Sequence, residues 1–224
     1  MSFNRKNILS ILFLLMPGII FSQIRISGST DLMVLRSFKE DQHFWAVGQN
    51  IMVDWHFTNK GGAYASLSYS SYGKFTNQLS ATAKSATTSP QQIDFTNNAE
   101  LRLKQISLGF KHYFVGSIDA EGQWNLYSIT GFGLIFGTAR NNYSTIIDTS
   151  LYNSPEQPVN GTGTFKRLTL DLGLGWEIPL NADIYLYVNG KVWIPTSDYP
   201  SKYLFVSDNA PLVGMLGLGV RILF

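Results

Sequence analysis

The stretch Phe165-Lys166-Arg167-Leu168-Thr169-Leu170-Asp171-Leu172-Gly173-Leu174-Gly175-Trp176-Glu177-Ile178-Pro179-Leu180 decides how the chain is read. Leu168, Leu170, Leu172, Leu174, Trp176, Ile178 and Leu180 share one parity, and Arg167, Thr169, Asp171, Gly173, Gly175 and Glu177 share the other. Successive side chains on a strand point to opposite faces. From Leu168 onward this segment is therefore a strand between two media, with one wholly apolar face and one polar face containing glycine.

The pattern recurs on both sides of the chain's later turns. In Ile184 to Ile194, Ile184, Leu186, Val188, Gly190, Val192 and Ile194 alternate with Tyr185, Tyr187, Asn189, Lys191 and Trp193. At the carboxyl end Leu212, Gly214, Leu216, Leu218, Val220, Ile222 and Phe224 oppose Val213, Met215, Gly217, Gly219, Arg221 and Leu223. Beyond Lys166, no charge falls on the apolar parity of these three strands. A lipid-facing wall requires this, because a charge at mid-bilayer costs a barrel about 2–4 kcal/mol.

Five earlier segments follow with more irregularity. Ile24 to Val34, Trp45 to Phe57 and Ala63 to Tyr72 alternate in the same way, with Gln49 an exception on the apolar side. Leu101 to Phe114 changes apolar parity between Leu103 and Ile106, which predicts a β-bulge or the membrane rim there. Trp124 to Phe136 carries Ser128 and Thr130 on its apolar parity. Eight strands result. Tight turns are expected at Asn59–Gly62, Ser117–Gly122 and Asn181–Asp183, and longer loops at Phe38–Phe44, Ser80–Asn98, Asn141–Gly163 and Asp198–Ala210. The expected fold is all-β: a transmembrane antiparallel up-and-down barrel of eight strands. Short turns on the periplasmic side and long loops outside are the habit of outer-membrane barrels, and they place both termini in the periplasm.

With these residues in view, the chain resembles the small outer-membrane barrels of OmpA and OmpX type and the PorT-like outer-membrane barrel domains. The resemblance covers residues 23–224 and rests on architecture plus the terminal run Gly217 to Phe224. In that run Gly219, Ile222 and Phe224 match the signal that such barrels present to the barrel-assembly machinery. A basic or polar residue is more usual at Gly217.

The totals agree with a membrane barrel. Of 224 residues only 14% are charged, against about 25% in an ordinary soluble protein, yet the mean hydropathy is close to zero. A helical membrane protein needs about 20 consecutive apolar residues per span, and residues 23–224 contain no such run. Residues 1–22 read as a cleaved signal peptide, with Arg5 and Lys6 ahead of the apolar stretch Ile8 to Phe21 and a cut near Ser22–Gln23. The competing reading, an uncleaved anchor, suffers from the short stretch and the Pro17-Gly18 break. Residues 1–22 hold two of the 17 basic residues and none of the 15 acidic ones, which leaves 15 of each. A neutral chain without a basic patch excludes nucleic acid as a partner. The absence of cysteine excludes thiol catalysis, thiolate metal sites and a lipid-anchored cysteine.

Alternation alone does not say which face meets lipid, and a lipocalin-like soluble barrel is the competitor. The polar faces hold mainly Ser, Thr, Tyr, Asn and Gly with few charges, which suits a crowded interior better than a surface in water. The lumen is then expected to hold Arg25, Lys74, Lys111, Arg167, Lys191 and Arg221 against Asp31, Asp54, Asp171 and Glu177. Eight strands enclose only enough space for side chains, so the interior is predicted to be plugged by paired charges. Arg25, Asp54, His56, Lys111, Glu177 and Arg221 form the expected network near the periplasmic ends, with Asp171 and Lys191 also in the lumen.

Little else suggests chemistry. The three histidines are His43 in the first loop beside Glu40 and Asp41, His56 in the lumen and His112 on the lipid parity. Lipid A-modifying barrels use serine, histidine and a carboxylate at the outer rim, and no histidine falls on a strand there. No catalytic residue, metal or cofactor is expected. Gly131, Gly133 and Gly137 read as barrel wall. Polar loops carrying Tyr143, Tyr152, Tyr199, Tyr203, Leu204 and Phe205 suit surface recognition. The expected function is a non-enzymatic structural or interaction barrel, or an accessory subunit of an outer-membrane assembly or secretion complex. A lipid-modifying enzyme and a narrow channel are the alternatives. Expected partners are outer-membrane lipid, lipopolysaccharide, the assembly machinery during insertion and another envelope protein.

Overall fold

The computed structural model describes residues 25–39, 42–154, 160–196 and 211–224. Residues 1–22, expected to be a signal peptide, and Glu40, Asp41, Tyr199, Tyr203, Leu204 and Phe205 lie outside the described residues. Ten strands are present among those described: β1 (Arg25–Ser37), β2 (Trp45–Thr58), β3 (Gly61–Ser70), β4 (Gly73–Ala83), β5 (Gln92–Val115), β6 (Asn125–Tyr143), β7 (Tyr152–Asn153), β8 (Gly161–Asn181), β9 (Ile184–Pro195) and β10 (Val213–Leu223). Every pairing is antiparallel. The ring runs β1–β2–β3–β5–β6–β8–β9–β10 and closes when Ser27 to Ser37 pair with Leu223 to Val213. Eight strands thus form a closed cylinder, and closure leaves the wall without a free edge.

The parity reading holds for the apolar wall. Leu168, Leu172, Leu174 and Trp176 of β8 face outward and are exposed, as are Leu216, Leu218, Val220 and Ile222 of β10. Trp45, Trp55, Trp124 and Trp176 point outward while Trp193 is buried inside, as expected. From Ile178 to Leu168 the wall spans about 33 Å along the strand, or about 25 Å once tilted, which is the height of a barrel's apolar band.

Of the two readings of the parity change on β5, the rim fits, with exposed Ile106 giving way to Lys104 on the outward face, and the bulge falls on a different strand. β5 shows no break between Leu103 and Ile106: it pairs continuously with β6 from Asn97 to Tyr113, and its odd-numbered residues face inward throughout. The extra residue sits on its other neighbour. Tyr69 pairs with Lys104 and Gly73 with Leu101, so four steps on the β3–β4 line match three on β5. Inserting one residue flips every later side chain to the other face. Even-numbered residues face inward in β3, odd-numbered ones in β4. Lys74, expected in the lumen, is consequently outside, where it pairs with Glu100 at 3.3 Å.

Two long loops are also shorter than expected. β4 and β5 continue as a hairpin through most of 80–98, and β6 and β8 extend through Tyr143 and from Gly161. The extension has a small core of its own, in which Ala81, Phe95, Tyr143, Ile147 and Tyr152 are buried. Tyr152 and Asn153 complete it by pairing with Ala83 and Thr82.

Candidate functional site

The interior of the cylinder is layered. At the end where β1 begins and β10 finishes, Arg221 from β10 meets Glu177 from β8 through two hydrogen bonds, Nη2 to Oε1 at 2.7 Å and Nε to Oε2 at 3.1 Å. Lys111 from β5 stands between Asp54 Oδ2 at 3.4 Å and Glu177 Oε2 at 3.9 Å. Two cations and two carboxylates thus balance with no net charge, which a buried site requires. Their solvent-free rings complete the setting: the Arg221 guanidinium lies 3.9 Å from the Tyr185 centroid and Lys111 Nζ 4.1 Å from that of Tyr127.

The turn after β5 closes this end. Ile118 inserts into the interior, and its carbonyl accepts a hydrogen bond from Arg221 Nη2 at 3.0 Å. Asn125 ties the turn to the network by donating to the Ser117 carbonyl and to Glu177 Oε1, both at 2.9 Å. Arg25, expected within the network, is at the rim instead. It pairs with Asp119 at 2.8 Å, half exposed, and among the described residues reaches the network through Ser117, whose hydroxyl donates to Asp119 at 2.9 Å. Hydrogen bonding from Ser117, aided by the backbone and by the adjacent Arg25, holds the Asp119 carboxyl below its ordinary value against the opposing effect of burial.

His56 joins the network through Ser27, whose Oγ lies 2.9 Å from His56 Nε2 and 3.1 Å from Asp54 Oδ2. A serine, a histidine and an aspartate thus meet, but in the wrong order for a nucleophilic triad. A triad needs the carboxylate on His Nδ1, and among the described residues Nδ1 of His56 has no hydrogen-bond partner. All three side chains are buried, so a substrate has no approach.

A second layer lies nearer mid-barrel. Asp31 accepts hydrogen bonds from Asn50 and Tyr187 at 2.8 Å each. Asp171 is surrounded by Ser107, Thr169 and Gln105. Lys191 shares with Asp171 the wall of an enclosed space of about 10 Å³, which is too small for a passage. Inward glycines seat the large side chains here. A Cβ on Gly131 would come within 2.6 Å of the Tyr64 hydroxyl, and one on Gly175 within 2.2 Å of the Tyr127 ring. Small barrels are filled by this alternation of small and large residues.

The third layer was not foreseen. Toward the hairpin end the interior is apolar, built from Met33, Leu35, Phe44, Leu101, Phe165 and Trp193 with their neighbours. This layer explains why Leu101 and Leu103 share a parity with Gln105 and Lys111: the same inward face passes from an apolar layer to a polar one.

Of the residues singled out from sequence, Asp54, His56, Lys111, Glu177 and Arg221 are brought together, Asp171 and Lys191 form the middle layer, and Arg25 stands apart. Ser27 and Asn125 were missed as members, although each lies on the inward parity. Ile118 gave no signal, because a turn residue has no parity. Gly219, Ile222 and Phe224 occupy the last strand and its end: Ile222 and Phe224 face outward, and Gly219 makes room for Asp31, whose Cβ lies 2.6 Å from the position of a Cβ at 219. Among the described residues no group of His, Asp or Glu could hold a metal ion.

No protein-family model matches the sequence, and no curated protein is similar to it. Solved structures are similar. Neisserial surface protein A shares 12% identity at a TM-score of 0.51, over 88% of this chain and 96% of its own. The Yersinia pestis attachment protein Ail shares 14% at 0.49, over 90% and 99%. The amino-terminal barrel domain of Pseudomonas aeruginosa OprF shares 13% at 0.45, over 88% and 97%. The fold is that of the small outer-membrane β-barrels.

Proposed function

We propose that the protein is a non-enzymatic barrel of the bacterial outer membrane that acts through protein contacts, as an accessory subunit of an envelope assembly or secretion complex. The observation that carries this reading is the cylinder filled, among the described residues, by a neutral ionic layer, a hydrogen-bonded layer and an apolar layer. A filled barrel cannot act as a porin, and the buried Ser27, His56 and Asp54 cannot meet a substrate. What remains available outside is the extended sheet of β4, β5, β6 and β8, presented beyond the apolar band on a rigid wall.

In the same reading residues 1–22 are removed on export, both chain ends lie in the periplasm, and Gly219, Ile222 and Phe224 are presented to the assembly machinery. Affinity purification from outer membranes in mild detergent tests the assignment. A stoichiometric envelope protein recovered with the barrel is the expected result. Recovery of none, together with altered lipid A on overproduction, would overturn it in favour of an enzyme.

A further inference from the structure

The outward face of the wall changes chemistry abruptly on one side. In register across β3, β5, β6 and β8, the row Leu67, Ile106, Leu134 and Leu168 is apolar and exposed. The next row toward the hairpins is Tyr69, Lys104, Phe136 and Lys166. Above it Arg102 pairs in register with Thr138, and above that Lys74, Glu100 and Arg140 align. Five cations thus gather at the upper edge of the apolar band. Among the described residues only Glu100 balances them, at 3.3 Å from Lys74 and 3.7 Å from Arg140.

Lys104, Lys166 and Arg102 have no carboxylate partner among the described residues. Aromatic rings hold them instead: Lys104 Nζ lies 5.5 Å from the Tyr69 centroid and Lys166 Nζ 5.7 Å from that of Phe136. Arg102 and Arg140 both lie 4.8 Å from the Tyr72 centroid, two like charges on one ring. Rings orient cations without neutralising them. Lys111 and Arg221 inside the barrel are paired with carboxylates, whereas these three outward cations are left free to meet an anion. A groove of about 700 Å³ lies between Lys104 and Lys166, lined by Phe136, Thr138 and Thr164.

We propose that this patch is a binding site for a phosphorylated lipid of the outer leaflet, with the phosphate held by Lys104, Lys166 and Arg102. The acyl chains lie on Ile106, Leu134 and Leu168 immediately below. The apolar row directly beneath the charges selects a lipid over a free anion, because one amphiphile satisfies both rows. This inference rests on the outer-membrane reading.

The purified protein in mixed micelles, titrated with bis-phosphorylated lipid A and with its dephosphorylated form, tests the site by native mass spectrometry. Tighter retention of the phosphorylated form is expected, with K104Q/K166Q weakening it about tenfold or more. K104R/K166R should retain it, and K74Q, whose charge Glu100 already balances, should change it by less than about twofold. Equal binding of both lipids, or an unaffected K104Q/K166Q, overturns the proposal. Full competition by millimolar inorganic phosphate overturns the choice of a lipid. Should K104Q/K166Q not fold, the comparison of the two lipids on the unaltered protein still decides. A protein that stays monomeric in buffer without detergent refutes the membrane reading itself, whereas a detergent-dependent barrel indifferent to phosphate refutes only the site.

Discussion

Arg221 and Glu177 are the residues on which the closed end depends, since both side chains are fully buried and their charges are paired at 2.7 Å. Removing one partner leaves a charge in a dry interior. R221M should therefore cost about 3–5 kcal/mol, while R221M/E177L should recover much of that loss. Urea unfolding in micelles measures both. A double variant no more stable than the single one would show that packing around Tyr185, not charge balance, sets the cost. Gly219 makes a different kind of demand. G219A puts a methyl 2.3 Å from the Thr30 carbonyl, so a loss of about 1–3 kcal/mol is expected from overpacking.

At the rim, Asp119 is held below its ordinary value chiefly by Ser117. A carboxyl depressed in the folded state contributes stability above its unfolded value of about 3.9 and loses it as the pH falls through the lower folded value. The stability difference between the native protein and D119N should thus be present at pH 6 and vanish in strong acid. Its size stays below about 1 kcal/mol because the pair is half exposed. A difference independent of pH would show that Asp119 acts through its shape alone.

Among the elements, β5 reads the surroundings most fully. Its outward residues Phe110, Leu108 and Ile106 are apolar, and the next three outward positions are Lys104, Arg102 and Glu100. The apolar band ends between Ile106 and Lys104. L108R should therefore cost about 2–4 kcal/mol, whereas T138R, level with Arg102, should cost less than about 1 kcal/mol. Equal penalties would place the band's edge elsewhere. The step on the β3–β4 line has the same root. Parity along β3 and β4 could not be continued from Tyr72 to Lys74, because one extra residue separates the two pairings with β5.

For the whole molecule, the extension and the barrel are separate packing units. The extension's core of Ala81, Phe95, Tyr143, Ile147 and Tyr152 shares no residue with the apolar layer of Leu35, Leu101, Phe165 and Trp193. Replacing residues 78–96 by a two-residue turn should leave barrel stability within about 1 kcal/mol, since few barrel contacts are lost. The same truncation should abolish recovery of the envelope partner; if recovery persists, the contact surface lies elsewhere. In a planar bilayer the intact protein should give no stable pore of porin size, because every layer of the interior is occupied.

The sequence by itself determined the class: alternation with period two assigns each side chain to one of two faces, and the absence of charge from one face says that this face meets hydrocarbon. It also identified Asp54, His56, Lys111, Glu177 and Arg221 as inward residues near one end, because parity and distance from a turn are local properties. Only the tertiary structure decided which of them touch, that Arg25 turns to Asp119, that Lys74 faces out and that the interior passes from ionic to apolar along its length. Those outcomes depend on the stagger between neighbouring strands, and stagger is fixed by closing the whole ring rather than by any one segment.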